Sequence, residues 1–130
     1  MRERFCVSSA GLSRAFDFVA SAVETAGLPD SVSKRLAVIV DEVCSNMIRH
    51  NAALSQSDMF ELSLMPGQAE ITLVISDAGS AFDPLHDKPS DVREIGGHGL
   101  AIIQGLASDV SYQRKNDRNV LTITLPSVNN

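Results

Sequence analysis

Residues 41–51 read DEVCSNMIRHN and lie near the end of a long stretch with helical periodicity. Apolar residues at positions 36, 39, 40, 43 and 47 form one stripe, which predicts a helix over about 32–53. Glu42, Asn46 and His50 are spaced four residues apart, so they stack along one side of that helix. Glu42 and Asn46 fall at the edge of the apolar stripe. Side chains at such a boundary either line a cavity or form a solvated rim.

The sequence before this helix predicts one strand and one further helix. The pattern of residues 3–8 predicts a short strand. A first helix with the apolar spacing of a buried face runs to about Ala26. Ser9 or Ser13 can cap its beginning, and Gly27 ends it, because glycine is common just past a helix C-terminus.

The sequence after residue 57 predicts two hairpins separated by a long loop and a short helix. Alternating apolar and polar residues indicate strands, and turn residues separate them. The predicted strands are 58–65, 69–76, 109–114 and 119–126, and the predicted helix is Leu100–Ala107. Helices and hairpins in this order favour an α+β fold, a two-layer sandwich in which helices cover one face of the sheet.

A second motif follows the strand predicted at 69–76. Asp77 ends the strand and Gly79 comes two residues later, within the run ISDAGSAFDP at 75–84. Glycine lets a ligand approach the backbone, and a carboxylate there can accept a hydrogen bond from a ligand amine. A plain Asx turn would have the same sequence.

A third motif is glycine-rich and precedes the predicted helix at residue 100. Residues 96–100 read GGHGL. A glycine-rich loop that enters a helix N-terminus presents free backbone N–H groups and the positive end of the helix dipole, which suits phosphate. The alternative is a flexible loop that merely begins a helix.

Composition excludes several classes of protein. The chain has 130 residues and a formal net charge of -5, and basic residues are concentrated in neither half. This argues against a nucleic-acid surface. No apolar run reaches the roughly 20 residues of a membrane span, and the N-terminus lacks the uninterrupted apolar stretch of a signal peptide. Two cysteines without metal spacing fit a reducing cytoplasm. We expect one domain, residues 1–130.

Taken together and in this order, the three motifs resemble the GHKL superfamily of ATPases. Glu42 and Asn46 match its N box, Asp77 and Gly79 its G1 box, and Gly97 and Gly99 its G2 box. Within that group the chain is similar to stand-alone anti-sigma-factor serine/threonine kinases of bacterial partner-switching systems. The resemblance implies a Bergerat-type ATP-binding fold with a mixed, mostly antiparallel sheet.

The resemblance also implies roles for these residues, with ATP and Mg²⁺ as the cofactors. Asn46 would hold Mg²⁺ on the phosphates, and Glu42 would be the general base. Asp77 would accept from the adenine amino group, and Gly79 would let the base pack against the turn.

Further residues would complete the nucleotide site. Gly97 and Gly99 would present N–H groups to the phosphates, with His98 and Leu100 beside them. Arg49 and His50, after Asn46, would reach phosphate or the base pocket. Residues 83–96 would be the ATP lid. The family often has a threonine near the adenine in its last hairpin, for which Thr122 is a candidate.

The function implied is that of an anti-sigma factor that is also a protein serine/threonine kinase. It would phosphorylate an anti-anti-sigma antagonist of the STAS type and so regulate a sigma factor or an equivalent target. The alternative is a non-catalytic module that binds partners in a nucleotide-dependent way. A homodimer is also implied, and four apolar residues could serve its interface or belong to the core: Phe5, Val7, Phe16 and Phe18.

Overall fold

The structure is a computed structural model that describes residues 1–50, 58–79, 81 and 96–127; for residues 49, 50 and 96–100 it describes the backbone alone. Its elements in chain order are β1 (Arg2–Cys6), α1 (Ser9–Thr25), α2 (Asp30–His50), β2 (Met59–Pro66), β3 (Glu70–Asp77), α3 (Gly96–Leu106), β4 (Asp109–Lys115) and β5 (Arg118–Pro126). The expected lid falls almost wholly outside the described residues, which include only its last position.

The strands form a five-stranded sheet with the order β1-β2-β3-β5-β4. All four pairings are antiparallel. The two hairpins produce two of these pairings directly, because a short turn can join only antiparallel strands. The α+β sandwich predicted from the sequence is therefore confirmed. The expected sheet was mixed and mostly antiparallel, and in the described strands it is wholly antiparallel.

The core lies between one face of this sheet and the helices. Strands β2, β3 and β5 alternate buried and half-buried residues, so each turns every second side chain toward the core. Phe5 and Val7 belong to this core, and Phe16 and Phe18 pack against it. Phe5 is 3% exposed and Val7 is 6% exposed. These two residues therefore cannot supply the exposed dimer surface that was considered for them.

Helix α1 begins and ends at identifiable caps. The N-cap is Ser8, whose side-chain oxygen accepts from the Gly11 N–H at 3.1 Å. The expectation of Ser9 or Ser13 as the cap was therefore wrong, because the chain enters the helix directly from β1. The predicted end is confirmed, since Gly27 follows the helix with φ +71°, a conformation that favours glycine.

Helix α3 begins at Gly96 and not at Leu100. The glycine-rich motif therefore forms the first turn of this helix, where a loop was expected. Strands β4 and β5 join through Asn116 and Asp117, both with positive φ, as a two-residue hairpin turn requires. In the described part of the chain, no helix combines the length and apolarity needed to cross a membrane.

Candidate functional site

A single row of paired residues crosses all five strands near one end of the sheet. In strand order the row is Phe5, Phe60, Asp77, Asn119 and Arg114. On β1 and β2 the row is apolar, with the rings of Phe5 and Phe60 5.5 Å apart. On β3, β5 and β4 it is polar. The fold thus places three polar side chains side by side on strands that otherwise turn apolar residues toward the core.

The polar half of this row forms a connected hydrogen-bond network. Asn119 Nδ2 donates to Asp77 Oδ1 at 3.0 Å, and the Gly79 N–H donates to the same oxygen at 2.9 Å. The Asn119 Oδ1 accepts from the Tyr112 hydroxyl at 2.6 Å and from Arg114 Nη1 at 3.2 Å. Arg114 Nη1 also donates to the Gly79 carbonyl oxygen at 2.7 Å. The Asp77–Gly79 turn is therefore held by β4 and β5 as well as by its own Asx-type hydrogen bond.

Arg118 stabilises the same turn from the sheet face opposite to the core. Arg118 Nε donates to Ser76 Oγ at 2.7 Å, and its Nη2 donates to the Ser76 carbonyl oxygen at 3.2 Å. Ser76 precedes Asp77, so arginines hold the end of β3 from both faces. A turn fixed in this way can present its carboxylate in one orientation.

Helix α2 carries the first motif at the boundary of the core, as the sequence predicted. Leu36 and Met47 are buried on its apolar stripe. Glu42 and Asn46 are half-buried. Both side chains therefore lie where a polar group can face a ligand while its helix stays packed.

Cys44 is a buried residue of α2 that is influenced by the charge at the end of β3. It lies between Glu42 and Asn46 in the sequence and is fully buried. Burial raises the pKa of the Cys44 thiol well above its usual range, and the nearby charges of Asp77 and Asp41 raise it further. The carboxylate of Asp77 is therefore within electrostatic range of the buried face of α2, the helix that also carries Glu42 and Asn46.

The third motif lies on the neighbouring helix. Residues 96–100, which include Gly97, His98, Gly99 and Leu100, form the N-terminal end of α3, and α3 packs against α2. Helix N-termini carry N–H groups without intrahelical partners. Arg49 and His50 occupy the last turn of α2. Their side chains, like those of residues 96–100, lie outside the described residues, so their predicted contacts with a nucleotide stay predictions.

Thr122 does not join the site. It alternates with the buried Leu121 and Ile123, so its side chain lies on the sheet face opposite to Asp77. The residue of the last hairpin that contacts Asp77 is Asn119, which sequence reasoning missed. A signal was present in the sequence, because Asn119 is in phase with the apolar residues of β5.

The described donors and acceptors fit the groups that the motifs imply. An amide oxygen such as that of Asn46 is a hard ligand of the kind Mg²⁺ accepts, and Mg²⁺ keeps water and phosphate oxygens as its other ligands. Among the described residues there is no group of three His, Cys, Asp or Glu side chains that could hold a metal ion. Asp77, which accepts two N–H donors on Oδ1, is suited to accept an amine of a ligand on Oδ2.

Comparisons with known proteins identify a relative and similar folds. The chain is 30% identical over 95 residues to "Serine/threonine-protein kinase BtrW" of Bordetella bronchiseptica, an alignment that spans 68% of this chain and 67% of the relative. Its fold is similar to that in the SiaB-SiaC complex from Pseudomonas aeruginosa, with a TM-score of 0.61 and 12% identity over 97% of this chain and 89% of the other.

A histidine kinase domain from Erythrobacter litoralis has the same fold. The TM-score is 0.59 and the identity 17%, over 94% of this chain and 61% of the other. These two structural likenesses show the fold. Residues 7–125 match the family described as "Histidine kinase-like ATPase domain", a match that leaves out only β1 and the last residue of β5 among the described elements. The chain therefore belongs to the histidine kinase-like ATPase domain family.

Proposed function

We propose that the protein binds Mg-ATP and transfers its γ-phosphate to a serine or threonine of an antagonist protein. The observation that carries this proposal is the hydrogen-bond network that holds the Asp77–Gly79 turn at the end of β3, in a chain of the histidine kinase-like ATPase domain family. The turn offers an acceptor suited to a nucleobase amine, and the half-buried Glu42 and Asn46 of α2 offer a carboxylate and an amide suited to phosphoryl transfer.

Few residues have to take part in the chemistry, because phosphoryl transfer depends mainly on positioning and charge neutralisation. The hydroxyl oxygen of the acceptor attacks the γ-phosphorus, and the bond from that phosphorus to the β–γ bridging oxygen breaks, which leaves ADP. Glu42 takes the hydroxyl proton. Asn46 would hold Mg²⁺, which neutralises phosphate charge. Asp77 accepts the adenine amine, and the N–H groups of Gly97 and Gly99 bind phosphate.

The relatives support the choice of acceptor and partner. The Bordetella relative is named a serine/threonine-protein kinase, and the Pseudomonas structure is a complex of two proteins. We propose by extension that the substrate is an anti-anti-sigma antagonist of the STAS type, and that the regulated target is a sigma factor or its equivalent in the cytoplasm. We also propose a homodimer, which light scattering after gel filtration would detect as a mass of twice 13.9 kDa.

A transfer assay tests the proposed function. The purified protein is incubated with Mg²⁺, γ-labelled ATP and STAS-domain proteins encoded in the same genome. We expect label on one of them, lost with Glu42→Gln although that variant still binds ATP. The matched control is Asp41→Asn, one residue away and exposed, which should transfer label normally. If wild type binds ATP but labels none of these proteins, and still binds one of them in a nucleotide-dependent way, the non-catalytic binding module replaces the kinase.

A further inference from the structure

The side-chain amide of Asn119 is hydrogen-bonded at both of its ends. Its Oδ1 accepts from the Tyr112 hydroxyl and from Arg114 Nη1, and its Nδ2 donates to Asp77 Oδ1. Asn119 is only 7% exposed. An arginine side chain donates but never accepts, so the end of the amide that faces Arg114 must be the oxygen. Arg114 thereby fixes which end of the amide faces Asp77.

This arrangement gives the two carboxylate oxygens of Asp77 different roles. Both hydrogen bonds that the described residues make to the carboxylate end on Oδ1, one from Asn119 and one from the Gly79 N–H. Oδ2 is left to accept from a ligand. An ionised carboxylate only accepts hydrogen bonds, so a group that meets Oδ2 has to be a donor.

We propose that Asn119 is a positioning residue that orients Asp77 toward the nucleobase and makes the site select a 6-amino purine. The inference rests on the proposed function, because it assumes that a nucleotide occupies the site. With Asn119 in place, Asp77 has one orientation and Oδ2 meets the base. A base with a carbonyl oxygen at the same position would put an acceptor against an acceptor, which costs free energy because neither is satisfied.

A purely structural role for Asn119 has different consequences. The network also joins β3, β5 and β4 at one end of the sheet, so its loss would lower stability in any case. If Asn119 only stabilised the fold, its replacement would disturb the whole site and weaken the binding of all nucleotides alike. A positioning residue for Asp77 affects only nucleotides whose base donates to that carboxylate.

The discriminating experiment compares two nucleotides by calorimetric titration. One is Mg-ATP, and the other is the Mg²⁺ complex of purine riboside triphosphate, which has hydrogen in place of the 6-amino group. The variants are Asn119→Asp and Asn119→Ala, with Thr124→Ala as the control, a residue of the same strand on the opposite face. Asn119→Asp can still accept from Tyr112 and Arg114, so it keeps that part of the network and its fold can be verified by thermal unfolding.

We expect Asn119→Asp to weaken Mg-ATP about tenfold, because a donor to Asp77 becomes an acceptor, and Asn119→Ala to weaken it about fivefold. Binding of purine riboside triphosphate should change less than about twofold in folded protein, and Thr124→Ala should leave both affinities unchanged. Equal weakening of both nucleotides, or unchanged ATP binding, would overturn the positioning role while the proposed function stands. If wild type binds neither nucleotide, both fail.

Discussion

Replacing Gly11 with alanine should destabilise the protein, although alanine is the better helix former. Gly11 lies in the first turn of α1, and the chain reverses so tightly after β1 that the helix backbone lies against the strand. A Cβ built on Gly11 would lie 1.8 Å from the Cys6 carbonyl oxygen and 2.8 Å from its carbon. Both are backbone atoms, so no side chain can rotate away to make room.

The magnitude follows from two opposing terms. Cβ atoms essentially never come within 3.0 Å of another atom, so α1 and β1 must separate by about 1.2 Å. Inserting a methyl group into a packed region costs about 1–3 kcal/mol, and separating the helix from the Phe5 region adds to this. The helical preference for alanine returns only about 1 kcal/mol. We expect a net loss of about 1–2 kcal/mol, the upper part of the range that these terms leave, which lowers Tm by roughly 3–10 °C in a domain of this size.

Thermal and urea unfolding followed by far-ultraviolet circular dichroism measure this loss, since the chain has no Trp. The matched control is Gly105→Ala in α3, where an added Cβ meets nothing within 4 Å. That variant should be stabilised by about 0.5–1 kcal/mol, the helical preference alone. The reasoning is refuted if Gly11→Ala is as stable as wild type, or if both variants shift in the same direction.

Three further experiments test the burial of Cys44 and Phe60 and the exposure of Cys6. Burial raises the pKa of the Cys44 thiol. Above about pH 8.5 the folded state therefore keeps a proton that the unfolded chain loses. Above that pH this thiol should lower the unfolding free energy by about 1.4 kcal/mol for each pH unit. Cys44→Ala should flatten the fall in stability between pH 9 and 10, and an unchanged slope would contradict the burial. In native protein a thiol reagent should modify the exposed Cys6 in minutes and Cys44 only at the unfolding rate; equal rates would disprove this. Phe60→Ala, at a fully buried position, should cost about 3–5 kcal/mol in urea unfolding, and a loss below about 1 kcal/mol would place Phe60 outside the core.

Most of the architecture could be predicted from local patterns. The apolar stripe of α2 and the alternation of β2 and β3 were visible because each is a property of neighbouring residues. The start of α3 was not, because glycines at 96, 97 and 99 disfavour a helix locally and this helix packs against α2, which lies far away in the sequence.

Site residues that share one element could be predicted from the sequence, whereas site contacts between elements could not. Glu42 and Asn46 share a helix face, so their spacing alone placed them together. Asn119 meets Asp77 across 42 residues of sequence, and only the register of β3 with β5 reveals the contact. Thr122 was preferred because the family often has a threonine in this hairpin, whereas the alternation along β5 places that residue on the other face.

The central claim is that Glu42, Asn46 and Asp77 belong to one nucleotide site. Calorimetric titration of Mg-ATP and Mg-ADP into wild type, Asn46→Ala and Asp77→Asn tests it most directly. We expect wild type to bind both nucleotides and Asn46→Ala to lose the Mg²⁺-dependent part of the affinity. Asp77→Asn should weaken ATP and ADP equally, because both contain adenine. Absence of nucleotide binding by folded wild-type protein, or undiminished binding by both variants, would contradict the account.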